Sequence, residues 1–329
     1  MFNKKSILIT GGTGSFGKNF VKLLLGKYKP AKIIIYSRDE MKQYEMAQKY
    51  SYEKFPCIRY FLGDVRDRDR LELALKGVDY VIHAAALKQV PAAEYNPIEC
   101  IKTNINGAEN VILASLKNKV SKVIALSTDK AANPINLYGA SKLASDKLFI
   151  SGNYFGGGVT KFSVVRYGNV VGSRGSVVPL FNKLIDQGSK FLPITHPSMT
   201  RFWITIDQGI DLVAKSFSRM IGGEIFVPKL PSVHITDVAK AIAPKLKQKV
   251  IGTRPGEKLH ETMCSTNESN YIYEFKDHYV IGPTINYSHK IDYTNNKLDE
   301  NGKYLSEEFI YNSGTNKDFL TIEEIVKYK

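Results

Sequence analysis

Tyr138 and Lys142 stand four residues apart in the stretch Ser127-Thr128-Asp129-Lys130-Ala131-Ala132-Asn133-Pro134-Ile135-Asn136-Leu137-Tyr138-Gly139-Ala140-Ser141-Lys142. On a helix that spacing sets both side chains on one face. An ammonium beside a phenol favours the phenolate, which can take an alcohol's proton while hydride leaves the same carbon. The same spacing on a solvated helix is ordinary, so its weight comes from its neighbours. Asp129 and Lys130, a carboxylate and an amine, lie a short loop upstream; one reading of such neighbours is a structural ion pair.

Groups of this kind must be held by a scaffold, and the first half of the chain describes one. Short β-branched runs at Ser6–Thr10, Lys32–Tyr36, Ile58–Leu62, Tyr80–His83, Lys122–Ser127 and Phe162–Arg166 read as strands, with helical patterns such as Phe16–Tyr28, Asp39–Lys49 and Arg68–Leu75 between them. Strands apolar on both faces and separated by helices predict a doubly wound, Rossmann-like parallel sheet of the α/β class. After about Val171 loops lengthen and prolines become frequent. This predicts a smaller C-terminal substrate-binding domain at the carboxyl edge of the sheet, where ligands bind in such folds. The division expected is a dinucleotide-binding domain over 1–172, rejoined by about 207–228, and a smaller domain built from 173–206 and 229–329.

The first strand runs directly into Gly11-Gly12-Thr13-Gly14-Ser15-Phe16-Gly17 and then a helix. Glycines at 11, 14 and 17 fit a sharp turn, close backbone approach to a pyrophosphate, and a helix N-terminus offering N–H groups. At the end of the second strand, Ser37 and Arg38 favour the 2′-phosphate of NADP, with Lys42 one turn on as a helper. Asp39 is the carboxylate that argues for NAD, unless it caps the next helix. Asp64 and Val65 follow the third strand, where a carboxylate reaches an adenine amino group. Ala84, Ala85 and Ala86 follow the fourth, where small side chains admit the cofactor or simply pack helix on sheet.

The chain of 329 residues is 43% hydrophobic and 24% charged, ordinary for a globular enzyme. No run of about 18 apolar residues is present to span a membrane, and Met1–Ser6 shows no leader-cleavage pattern. Three scattered cysteines, Cys57, Cys100 and Cys264, lack metal spacing and suit a reducing cytoplasm without disulfides or a metal site. The net charge of +14 is spread along the chain rather than gathered in an arm. That speaks against nucleic acid as partner, and two anionic ligands account for only part of it.

The glycine motif with Tyr138-x-x-x-Lys142 resembles the extended short-chain dehydrogenase/reductases. More narrowly, Ser127–Lys130, Arg166-Tyr167-Gly168-Asn169, Ser173-Arg174-Gly175-Ser176-Val177, Met199–Trp203 and Arg254-Pro255-Gly256-Glu257-Lys258 resemble the inverting UDP-N-acetylglucosamine 4,6-dehydratases that open pseudaminic acid synthesis for flagellin glycosylation. Gln89 and His196 depart from that pattern, whereas Tyr138 stands where capsule-pathway relatives carry Met. The resemblance implies NADP as cofactor, UDP-N-acetylglucosamine as substrate and a homo-oligomer, a hexamer among its forms. It implies that Lys130 takes the C-5 proton and Asp129 protonates the leaving C-6 hydroxyl, with Thr128 beside them. Lysine 130 would have to be neutral for this, and Lys142 with the nicotinamide is expected to lower its pKa. Asn104 would join the cofactor set and Lys88 would reach cofactor or sugar. Asn169, Val177 and Thr195 would line the sugar and uracil pocket. Arg201 and Arg254 fit the diphosphate, since a guanidinium meets phosphate bidentately; Arg201 has a structural pairing with an acidic neighbour as its alternative. Glu257 would accept from ribose hydroxyls or face solvent. The rival activities are a sugar-nucleotide 4-epimerase or reductase, which needs no acid–base pair at 129 and 130, a capsule-pathway UDP-N-acetylglucosamine dehydratase, and a non-catalytic NADP-sensing protein.

Overall fold

The computed structural model describes residues 1–155, 157–173, 175–285, 291–305 and 308–328; Arg174, part of one segment quoted above, lies outside them. Strands β1 (Ser6–Thr10), β2 (Lys32–Ser37), β3 (Ile58–Leu62), β4 (Tyr80–His83), β5 (Lys122–Thr128) and β6 (Lys161–Tyr167) form where the sequence places them, with ends differing by a residue at most. Their Val and Ile side chains are buried on both faces, as a sheet covered by helices on each side requires. Helices α1 (Ser15–Lys27), α2 (Glu40–Lys49) and α3 (Arg68–Ala74) link the first four strands. Short helices α4 (Val90–Tyr95) and α5 (Pro97–Ile101) run through a π-turn at Lys102–Asn106 into α6 (Gly107–Lys117), and α7 (Leu137–Phe155) joins β5 to β6.

Beyond β6 come β7 (Asn169–Val170), α8 (Val177–Asp186), β8 (Phe191–Ile194), β9 (Thr200–Ile204), α9 (Ile206–Arg219) and β10 (Ile225–Pro228). Then follow β11 (Ser232–His234), α10 (Ile235–Ile242), β12 (Lys247–Val250), β13 (Thr262–Cys264), β14 (Ile272–Glu274), β15 (His278–Ile281), β16 (Lys303–Tyr304), β17 (Tyr311–Asn312) and α11 (Ile322–Lys327). The ten-stranded sheet has the order β16-β14-β15-β10-β6-β5-β4-β1-β2-β3. From β10 to β3 every pairing is parallel, so the chain after β9 does return to the large sheet. One difference from the sequence reading is that β14, β15 and β16, expected within the smaller unit, extend this sheet antiparallel.

Packing follows from these faces. On α1, Gly17, Phe20, Val21 and Leu24 are buried, the three-and-four spacing of a core stripe. Phe2 meets Phe20, Tyr28, Tyr80 and Phe217 edge-on and ties α1 to α9. Each such side chain taken out of water contributes about 1.5–3 kcal/mol. A separate cluster around Phe181, Leu192, Trp203, Val233, Ile235 and Ile325 holds α8, β8, β9 and α10 over the carboxyl ends of the parallel strands. Among the described residues, no helix is long and apolar enough to cross a membrane.

Candidate active site

A cleft of about 1040 Å³ opens between those strand ends and the smaller lobe. Of the residues singled out from sequence, all but Gly17 and Asn104 line it. Gly17 serves packing instead: a Cβ there would stand 2.3 Å from the Gly12 carbonyl oxygen, so only glycine lets α1 cross so close to the turn. Asn104 is buried and braces the loop after β4, its side chain bonding both N–H and carbonyl of Leu87 at 2.8 and 2.9 Å and the Ser141 hydroxyl at 3.0 Å.

At one end of the cleft backbone predominates. Gly11 has φ +63°, and a Cβ there would come within 2.9 Å of the Ala85 nitrogen. Gly14 caps α1 without any side-chain bond, and no acidic residue occupies the first turn. The N-terminus beside Thr13, Ser15 and Phe16 therefore keeps its positive end for an anion. Thr10 Oγ1 accepts from the N–H groups of Ala84 and Ala85 at 3.1 and 3.2 Å and contacts His83 Nδ1 at 2.9 Å. Burial lowers the His83 pKa to about 3, so this fully covered imidazole is neutral and its role is to set the alanine loop, which Ala86 and Lys88 continue along the cleft.

Farther along, the Thr13 and Ser37 hydroxyls meet at 2.9 Å. Asp39 does cap α2, accepting from Lys42 N at 2.9 Å, and also pairs with the Lys42 ammonium. Arg38 is more than half exposed and stands 3.7 Å from Asp64. Asp64 is itself engaged by Arg66, through backbone N–H at 3.0 Å and guanidinium at 2.7 Å; burial opposes its charge, but Arg66 prevails and holds its pKa low. Val65 packs beneath, against Gly107.

Toward the middle the side chains are charged and buried. Asp129 is 1% exposed. Its Oδ1 receives the Thr128 hydroxyl at 3.0 Å and the Lys130 ammonium at 3.1 Å. Lys130 also reaches Glu261 at 3.2 Å, and Arg201 stands 3.8 Å from that same carboxylate. Burial pulls the Lys130 pKa down, but Asp129 and Glu261 together raise it above its ordinary value. This reverses the lowering expected from sequence: in the structure Lys130 is an ammonium. Burial raises Asp129, which its neighbours do not fully offset, whereas Lys130, Arg201 and Lys258 overcome burial at Glu261 and hold it low. Glu261 is thus the ionised carboxylate, and its Oε2 is buried without a hydrogen-bond partner among the described residues.

Burial lifts the pKa of Tyr138, near the start of α7, to about 12, against the Lys130 charge and the Thr128 hydroxyl. The cation acting most strongly on it is Lys130. Lys142 is 3% exposed, its charge disfavoured by burial and supported by Asp146. Asp146 in turn accepts from Ser127 at 2.7 Å and faces the fully buried Arg166 at 3.5 Å.

At the far end Arg201 donates to the Thr200 and Leu259 carbonyls at 2.7 and 3.1 Å and to Glu257 at 3.4 Å. Arg254, largely exposed, holds Glu257 at 2.9 Å. The acidic pairing considered for Arg201 is present, and Glu257 bridges the two arginines rather than facing solvent alone. Asn169 lines the cleft with a buried Oδ1 that has no partner among the described residues; Val177 opens α8, and Thr195 donates to Met199 Sδ at 3.0 Å.

Sequence reading missed Glu261 and the Thr10–His83 brace, and it quoted Lys258 without giving it a role. Glu261 lies three positions past the Arg254–Lys258 segment, but only folding brings it to Lys130: Ser313, adjoining β17, fixes it by donating N–H to its carbonyl at 2.8 Å and accepting from its nitrogen at 2.9 Å.

A parallel sheet with a glycine turn before α1 and a Tyr–Lys pair on α7, both facing one cleft, defines an extended short-chain dehydrogenase/reductase. The chain belongs to the family described as polysaccharide biosynthesis protein, whose model matches residues 7–283. It is 59% identical to a Campylobacter jejuni protein named UDP-N-acetylglucosamine 4,6-dehydratase (inverting), over 99% of this chain and 98% of that one. It is 45% identical to a Rickettsia massiliae protein named UDP-glucose 4-epimerase, over 88% and 86%. Among solved structures, Pen from Bacillus thuringiensis superposes with a TM-score of 0.88 at 35% identity, covering 99% of this chain and 97% of that one.

Proposed function

We propose that the protein is an NADP-dependent, inverting UDP-N-acetylglucosamine 4,6-dehydratase, yielding UDP-2-acetamido-2,6-dideoxy-beta-L-arabino-4-hexulose as the first step of pseudaminic acid synthesis. The observation that carries this is the convergence of Tyr138, Asp129 and Lys130 in one cleft with the glycine turn, in a chain so close to a protein of that name. The glycine turn and uncapped α1 fit a dinucleotide pyrophosphate, and Ser37, Arg38 and Lys42 suit a 2′-phosphate. When bound, the nicotinamide accepts hydride from C-4 and returns it to C-6.

The chain's own groups move the protons. Tyr138 takes the proton of the C-4 hydroxyl, and the ketone formed acidifies C-5. Asp129, inclined to stay protonated, supplies the acid for the departing C-6 oxygen. Lys130, an ammonium between Asp129 and Glu261 in the resting site, has to lose that proton before it serves as the C-5 base as a neutral amine. Arg201 and Arg254 carry two positive charges against one on Glu257 and hold the diphosphate, while Asn169, Val177, Thr195 and Lys88 border the sugar and base. In this reading residues 1–172 and 207–228 carry the cofactor side, and 173–206 with 229–329, apart from β14–β16, the substrate side. A homo-oligomer, with a hexamer among its forms, belongs to the same proposal.

The Rickettsia relative's name favours one second reading, a 4-epimerase. Purified protein incubated with UDP-N-acetylglucosamine and no added reductant separates the two. A dehydratase gives a product lighter by one water, with inverted C-5 by NMR. A product of unchanged mass establishes the epimerase, and a need for stoichiometric NADPH removes the internal hydride cycle.

A further inference from the structure

Between β12 and β13 the chain runs as an irregular strap along the cleft, and it carries Arg254 and Glu257. A segment without helix or strand has to find partners for its backbone elsewhere. The Gly256 carbonyl accepts from Asn136 Nδ2 at 2.8 Å, and the Lys258 ammonium donates to the Ala132 carbonyl at 2.6 Å. Both bonds end on the loop between β5 and α7. Ala132 follows Lys130 by two positions, Asn136 precedes Tyr138 by two, and Gly256 follows Arg254 by two. The loop itself is close-packed. A Cβ on Gly139 would stand 2.2 Å from the Lys130 carbonyl oxygen, so Lys130 and the first turn of α7 have no room to shift independently.

Asn136 makes a second bond that fixes which way its amide faces. Its Oδ1 accepts from the Gly139 N–H at 2.8 Å and so caps α7, which turns the NH2 group toward Gly256. Gly256 adopts φ +72°, and a Cβ there would come within 3.1 Å of Asn136 Cβ. The strap backbone thus lies directly on Asn136. We propose that Asn136 is a positioning residue that clasps the strap to the chemical loop, so that a nucleotide diphosphate gripped by Arg254 also seats Lys130 and Tyr138. A diphosphate on Arg254 restrains the strap, and the clasp passes that restraint to the first turn of α7. With the clasp open, Arg254 is a largely exposed side chain on an irregular segment, held by Glu257 of that same segment. The inference rests on the nucleotide-sugar reading above.

Serine separates the two bonds of Asn136. Asn136→Ser keeps an oxygen that caps α7, is too short to reach Gly256, and brings no charge toward the diphosphate. Its melting temperature and NADP affinity should match the parent's. UDP, titrated without turnover, should bind about tenfold more weakly, the scale of a partly buried carbonyl losing its donor. In that background Arg254→Ala should cost less UDP affinity than it costs the parent, because an unclasped arginine holds the diphosphate less well. Such coupling is what a helix cap alone would not produce. Asn136→Thr, another capping residue, repeats the measurement should serine perturb folding. Parental UDP affinity in Asn136→Ser, a loss shared by NADP affinity and melting temperature, or full additivity with Arg254→Ala overturns the clasp. A parent that binds no UDP overturns it together with its premise. A parent that binds UDP but releases no water from UDP-N-acetylglucosamine removes the dehydratase reading alone.

Discussion

The two ends of the cleft are built on opposite principles. The cofactor end is made mostly of backbone: a left-handed Gly11, an uncapped α1 and an alanine loop pinned by Thr10. Its charged side chains, Arg38 and Lys42, lie near the surface, where paired charges interact weakly. The chemical end is made of buried charge, with Lys130 held between Asp129 and Glu261, Arg201 beside Glu261, and Lys142 above Asp146. There water is scarce, so each group sets its neighbour's protonation. A backbone site is fixed by chain geometry and tolerates side-chain changes one at a time, whereas a charge cluster responds as a unit.

Breaking the cluster should produce the largest effects. Tyr138→Phe should lower C-4 oxidation by on the order of 10²–10⁴-fold, leaving the cofactor oxidised when substrate is added. Lys130→Ala should fail one step later: reduced cofactor builds up by absorbance, and deuterium from heavy water no longer enters C-5. Parental exchange in Lys130→Ala removes Lys130 as the base and makes Asp129 or a bound water the candidate.

The cofactor end should respond more moderately and more selectively. Arg38→Ala should weaken NADP by roughly ten- to a hundredfold, from about 1.5–3 kcal/mol for a charge-assisted bond, and leave NAD nearly unchanged. Equal losses for both dinucleotides in titrations would assign Arg38 to its contact with Asp64 alone.

The smallest expected change sharpens the contrast. In Glu261→Gln one of the two carboxylates that raise the Lys130 pKa is gone, so that pKa falls toward what burial dictates. The neutral amine that the C-5 step needs is then more populated at a given pH. Exchange at C-5 should rise with pH in both proteins as the free amine forms, and in the variant the rise should come at lower pH. Superposable profiles would mean that Glu261 does not set the charge of Lys130.

Much of this was legible along the chain. The six strands, the glycine turn, the Asp39 cap and the Tyr138–Lys142 pair are local, written within a few residues by periodicity, capping chemistry and helical spacing. The π-turn that places Asn104, and the use of β14–β16 to extend the large sheet, were not, because neither has a local pattern distinct from a loop or a lone strand.

Sequence by itself determined the elements, the dinucleotide turn and the residue types available for proton transfer, since each depends on contacts close along the chain. Tertiary structure alone decided their protonation. Lys130 reads from its neighbours as an amine whose pKa should drop. Bringing Glu261 to within 3.2 Å, from far along the chain and fixed there by Ser313, makes it an ammonium. A pKa is set by every charge within a few ångströms, and which charges those are is known only once the chain has folded.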